Sequence, residues 1–228
     1  MLNNFLIKFY FKRYLREGKV YLAISFIIPI IMIIAMPVQV MFILLPYFLP
    51  MFGVIGAIMA PALYSEDRSS GFYEFILSST KIGVADIFWA ITAITITFSI
   101  IVLTILSIVV FVVILIVYGS IPILFAMEIG IYTIPISIIA SLIVSSLSFV
   151  SQALTKRISF VNSPAGISPI IGVVVSLIPF FAFGLNFQIV NYTQLFIDLG
   201  IYTGVCLMVF VLILILLTKR MVRERFLP

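Results

Sequence analysis

Charged residues along this chain fall in clusters, and between the clusters run apolar stretches close to the twenty or so residues a helix needs to cross a bilayer. Taking each stretch as a span predicts six transmembrane helices: Val20–Met36, Met41–Tyr64, Ile87–Tyr118, Gly130–Leu154, Ser163–Leu185 and Leu195–Thr218. The basic residues then sort to one side. Lys8, Lys12, Arg13, Arg16 and Lys19 precede the first span, and Arg68 and Lys81 lie between the second and third. Lys156 and Arg157 follow the fourth, and Lys219, Arg220, Arg223 and Arg225 follow the sixth. These are all 13 Lys and Arg of the chain, and the opposite side carries only Glu128, in the connection between the third and fourth spans, and Asp198, at the start of the sixth. The positive-inside rule therefore predicts cytoplasmic termini and cytoplasmic loops at 65–86 and 155–162. A cleaved signal peptide is not expected, because a second span follows the first apolar stretch and no small-residue cleavage site intervenes.

Composition agrees with that pattern and narrows the chemistry. Of 228 residues, 64% are hydrophobic and 9% charged, the balance of a multi-pass protein of the cell membrane. The chain contains no His, which excludes a Ser-His relay, an HExxH zinc site and a histidine proton relay. A single Cys excludes an intrachain disulfide and a Cys-cluster metal site. The expected organisation is one all-α transmembrane domain, residues 1–228. Its parts are an interfacial helix at 1–19, spans one and two within 20–64, a loop helix within 65–86, spans three and four within 87–154, a cytoplasmic loop at 155–162, spans five and six within 163–218, and a basic tail at 219–228.

Within the spans the polar residues are hydroxyls and amides. Ser137, Ser141, Ser145, Ser148 and Gln152 recur at three- and four-residue intervals on one stripe of the fourth span, and Thr92, Thr95 and Ser99 repeat the spacing in the third. Such stripes serve close helix packing or, alternatively, line a pathway. Gly53, Ala57 and Ala60 form a further small-residue packing face, and Pro29, Pro46, Pro50, Pro61, Pro135, Pro169 and Pro179 predict kinked helices. Cys206 reads as a core residue, and Asn191-Tyr192-Thr193 matches a glycosylation sequon on the outer side. No carboxylate or base lies deep in a span, which argues against carboxylate-coupled ion transport.

Two elements outside the spans are amphipathic. Over Asn3–Lys19 a helical projection gathers Lys8, Lys12, Arg13, Arg16 and Lys19 in one sector and Leu6, Ile7, Tyr10, Phe11, Tyr14 and Leu15 opposite. This predicts a helix lying in the membrane interface, basic face to anionic headgroups and aromatic face to the acyl boundary, with Gly18 turning the chain into the first span. The loop 65–86 predicts a short helix capped by Ser69 or Ser70, with Phe72, Phe75 and Ile76 on one face. Too short to cross the bilayer, such a helix needs the membrane surface or a partner's groove.

In that loop Glu66, Gly71, Glu74, Ile76-Leu77, Ser79 and Asp86-Ile87 resemble the signature after the second span of permeases of the ABC type-2 exporter family. Phe72-Tyr73 stands where Thr-Leu is usual, Thr80 replaces a proline, and Ala90 lies near the place of a common lysine. The resemblance implies a permease subunit of an ATP-driven transporter, an exporter or flippase of an amphipathic or hydrophobic substrate. Its coupling helix would dock a separate ABC-type ATPase subunit through Glu66, Gly71, Phe72, Glu74, Phe75, Ile76 and Leu77. It also implies a connecting helix at the N-terminus, short re-entrant outer helices near Ile178–Gln194, and a second permease half in a homodimer or heterodimer. The chain has no Walker A loop, since Gly18-Lys19 is followed by Val. It is therefore not expected to be an enzyme or to hold a cofactor itself; ATP and Mg belong to the partner, and no nucleic acid is expected. The alternative is a non-transporting membrane anchor that recruits a cytoplasmic partner.

Overall fold

The computed structural model describes residues 4–35, 37–58, 63, 66–67, 70–79, 82–119, 129–154, 162–179, 181 and 192–218. Among them are eight α-helices and no strand: α1 Asn4–Glu17, α2 Lys19–Ala35, α3 Val38–Ala57, α4 Phe72–Ser79, α5 Val84–Tyr118, α6 Ile134–Leu154, α7 Asn162–Pro179 and α8 Tyr192–Thr218. A π-helical turn, Ile129–Thr133, leads into α6. Six helices lie on the six apolar stretches, and α1 and α4 lie where the two amphipathic elements were expected. Helices α5 and α8 are long and apolar enough to cross a membrane. The α1–α2 pair passes the same test when taken together, bent by 63° at Gly18. An added Cβ at Gly18 would stand 2.7 Å from the Tyr14 carbonyl oxygen, so glycine suits the bend.

Helix α5 begins at Val84, three residues before the expected start, because the Asp86 carboxylate accepts the Gly83 N–H at 2.9 Å and caps the first turn. Helices α3 and α6 occupy the centre. The first packs on α2, α5, α6 and α7, and the second on α3, α5, α7 and α8. Glycine permits these close crossings. A Cβ on Gly53 would stand 2.5 Å from Ser137 Oγ, one on Gly56 2.6 Å from Val102 Cγ2, and one on Gly172 would collide with Val144. The packing role expected of Gly53 and Ala57 thus has a partner surface, Ala57 being fully buried. Ala60 lies outside the described residues.

The predicted serine and threonine stripes face each other across α5 and α6. Ser99 and Ser137 share a hydrogen bond of 2.7 Å, and Thr92 donates to Ser145 at 3.3 Å. Phe88 meets Phe149 edge-on, at 5.0 Å between ring centroids. As the position on α5 falls, its partner on α6 rises, so the two helices run antiparallel. Ser137, Ser141, Ser145 and Ser148 are all buried within the chain, as packing of the stripe requires. Of Gln152 only the backbone is described.

A proline explains a second polar contact. Pro179 has no N–H, so the Val175 carbonyl four residues earlier lacks its helical donor. The Tyr202 hydroxyl of α8 donates to that carbonyl, and Tyr132 of the π-turn donates to the next one, Ser176 O, at 2.8 Å. Two tyrosines thus close the C-terminal end of α7. Cys206 is buried beside them in the α6–α8 cluster.

Candidate partner-docking face at α1 and α4

Part of the apolar side of α1 packs on its own chain. Leu6, Tyr10 and Tyr14 are buried against Tyr73, Ile76 and Leu77 of α4 and against the first turns of α5. Tyr14 and Phe11 stack on Phe98 of α5, at 3.7 and 5.3 Å between centroids. The expectation of an acyl-facing aromatic side is corrected for Tyr10 and Tyr14, because α4 and α5 offer those side chains an apolar surface within the chain, while Leu15 stays exposed. Burial pushes the Tyr14 phenol above its usual range, and its hydroxyl has no hydrogen-bond partner.

Of the five basic residues read as a membrane-facing set, Lys8, Lys12, Arg16 and Lys19 are exposed, and Arg13 turns inward. Its side chain is 14% exposed and forms the hub of a charged cluster. The guanidinium donates to Asp67 through Nη1, to Glu66 through Nη2 at 2.8 Å, and to Glu17 through Nε at 3.1 Å. Arg16 donates to Glu17 at 2.7 Å. Asp67 is only 3% exposed and also accepts the Tyr10 hydroxyl at 2.9 Å, while Tyr10 and Tyr73 share a hydrogen bond of 3.0 Å.

The charges of this cluster pull in different directions. Burial pushes the Asp67 carboxyl above the usual carboxylate range, outweighing the hydrogen bonds from Arg13 and Tyr10. Burial also works against the charge of Arg13, but Asp67 and Glu17 more than offset it. Glu17 is held below its usual range, first by Arg16 and then by Arg13. The cluster therefore ties α1 to the segment ahead of α4 at a desolvation cost borne mainly by Asp67.

Helix α4 starts from a left-handed residue. Gly71 has φ of 74°, a conformation that penalises any Cβ, and its carbonyl accepts the Phe75 N–H at 3.2 Å to close the first turn. Ser70 does not cap this helix; its hydroxyl donates to the Asp67 carbonyl at 3.0 Å. Ser69 lies outside the described residues. Tyr73, Ile76 and Leu77 face inward, and Phe72 is half-buried and stacks on Phe9 of α1 at 5.4 Å. Glu74 is half-exposed, Glu66 is exposed while paired with Arg13, and Phe75 is 67% exposed. The seven coupling candidates thus divide. Ile76 and Leu77 anchor the helix to its own chain, and Phe75 is the large apolar side chain presented outward.

Asp67, Tyr10 and Tyr73 escaped the sequence reading as site residues. Their partners lie 54 to 63 positions away along the chain, so no local spacing announces them. Among the described residues no group of His, Cys, Asp or Glu is placed to hold a metal. Arg68, Lys81, Lys156, Arg157, the tail from Lys219, Asn191 and most of the expected re-entrant stretch lie outside the described residues. No protein-family model, curated protein or solved structure matches the chain. What fold and site define together is an all-helical protein with apolar helices compatible with a membrane, carrying a short helix mounted on a charged and aromatic bracket.

Proposed function

We propose that this chain is the membrane-spanning permease half of an ATP-driven transporter of the ABC type-2 exporter kind. On this reading α2, α3, α5, α6, α7 and α8 are the six spans, both termini face the cytoplasm, and α4 is the handle that a separate ATPase grips. The observation that carries it is the mounting of α4, which buries Tyr73, Ile76 and Leu77 against α1 and α5 while presenting Phe75 outward. A helix held this way transmits a push on its outer face to the long helix behind it.

The length of α5 supports the same reading. Its 35 residues measure about 52 Å, against about 30 Å of hydrocarbon, which leaves roughly fifteen residues outside. The first turns of α5, with Val84, Ile87, Phe88 and Ile91, are buried in one cluster with α1 and α4. Those two helices pack about the N-terminal end of α5, the exposed basic face of α1 directed to headgroups. The uncharged seams within the bundle favour an amphipathic or hydrophobic substrate, and a second permease half faces the first across the pathway.

The test is to co-purify the chain with a candidate ATPase subunit and compare hydrolysis for wild type and Phe75→Asp. Wild type should bind the ATPase and change its rate, and Phe75→Asp should release it. Failure of wild type to bind or to alter the rate defeats the proposal. A non-transporting anchor would bind its partner and leave hydrolysis unchanged.

A further inference from the structure

The hydroxyl seam between α5 and α6 has more teeth on one side than on the other. Reading toward the N-terminus of α5, its rungs are Ser99, Thr95 and Thr92, with steps of four and then three residues. Reading up α6 from Ser137, the partners are Ser141 and Ser145, with steps of four and four, and Ser148 stands one further rung on. The frames agree at Ser99–Ser137, where the bond is 2.7 Å, and have drifted by Thr92–Ser145, where it is 3.3 Å. Between them Ser141, opposite Thr95 in this register, is buried with no hydrogen-bond partner, while Thr95 donates back to the Ile91 carbonyl. A buried orphan hydroxyl is unfavourable and calls for a reason.

Sliding α6 by four residues, about 6 Å, supplies one. Ser99 then faces Ser141, Thr95 faces Ser145, and Thr92 faces Ser148. The steps are four and three on both helices, so all three rungs match. The side chain next to Gly53 becomes Ser141 in place of Ser137, again small enough for that crossing. The edge-on contact of Phe88 with Phe149 is given up, which favours the present register. Two registers one turn apart, one with two interhelical hydrogen bonds and the Phe88–Phe149 contact and the other with three matched rungs, make a bistable element of the kind that switches between packed states without intermediate positions.

We propose that the α5–α6 seam is a two-register ratchet, seen here in one register, whose second register pairs Ser99 with Ser141. This goes beyond the transport reading and needs no second subunit to be tested. In the full chain with Cys206→Ser, cysteine pairs are introduced and oxidised with iodine in native membranes. Ser99→Cys/Ser137→Cys and Ser99→Cys/Ser141→Cys should both form disulfides, and Ser99→Cys/Ser145→Cys, aligned in neither register, should not. A second measurement follows the Thr95→Cys/Ser145→Cys pair, which reports the shifted register. Ser137→Ala removes a rung of the present register only and should raise that yield about threefold, and Ser141→Ala should lower it about threefold, the population change that one interhelical hydrogen bond in a membrane carries. Cross-linking of the 99/137 pair alone, equal cross-linking of all three pairs, or a Thr95→Cys/Ser145→Cys yield indifferent to both alanine substitutions overturns the proposal.

Discussion

Removing Arg13 should cost far more than removing the carboxylate it faces. Arg13→Met leaves Asp67, whose side chain is 4% exposed, with a hydroxyl donor and no cation. Breaking a buried pair from one side costs about 3–5 kcal/mol. Asp67→Asn leaves Arg13 paired with Glu17 and Glu66 and keeps an acceptor for Tyr10, so the expected loss is about 1 kcal/mol, one ordinary hydrogen bond. The double variant should lose about 2 kcal/mol less than the two single losses combined, because the stranded charge is gone. The pH dependence has a definite sign. The folded-state pKa of Asp67 is already raised by burial, and losing Arg13 raises it further. A raised carboxyl stabilises the fold below its unfolded-state pKa and loses that contribution as pH climbs through the folded-state value. The Arg13→Met deficit should therefore shrink from neutral toward acid pH. Thermal unfolding of the full chain in mild detergent, at several pH values and with all three variants, measures both effects. An Asp67→Asn loss equal to that of Arg13→Met, or an Arg13→Met deficit that grows on acidification, would show that Asp67 is not stranded as a buried charge when Arg13 is lost.

Four further outcomes are open to the same assay. Gly172→Ala should destabilise by about 1–3 kcal/mol through collision with Val144. Gly200→Ala and Gly204→Ala, where nothing lies within 4 Å of the added methyl, should be neutral or gain up to about 1 kcal/mol of helix propensity. Gly71→Ala should cost about 1–2 kcal/mol for its left-handed backbone. Tyr202→Phe should lose about 0.6–1.7 kcal/mol by stripping the donor from the Val175 carbonyl, and the loss should nearly vanish in a Pro179→Ala background, where a backbone N–H returns to that carbonyl.

Much of the secondary structure was legible because bilayer length and charge clustering are one-dimensional signals. The apolar stretch Leu195–Thr218 ends where α8 ends, and Ile87–Tyr118 misses the start of α5 only by the turn that Asp86 caps. The hydroxyl stripes were legible as stripes, but their mutual pairing is set by the antiparallel register of α5 and α6, which spacing within one helix does not encode. The wheel of α1 located its apolar face correctly and left open what covers it. Arg13 stands at the border of the basic sector beside Leu6, so a small rotation decides between headgroup and Asp67. Gly56 and Gly172 drew no notice in the sequence, since a close crossing shows only once Val102 and Val144 are opposite them.

The proposed function makes α4 a cytoplasmic handle. The most direct measurement places a single cysteine at its exposed position, Phe75→Cys with Cys206→Ser, and applies a membrane-impermeant thiol reagent to sealed cells and to permeabilised ones. Labelling is expected only after permeabilisation. Labelling of intact cells from outside would put α4 on the opposite face from any ATPase and contradict the proposed function.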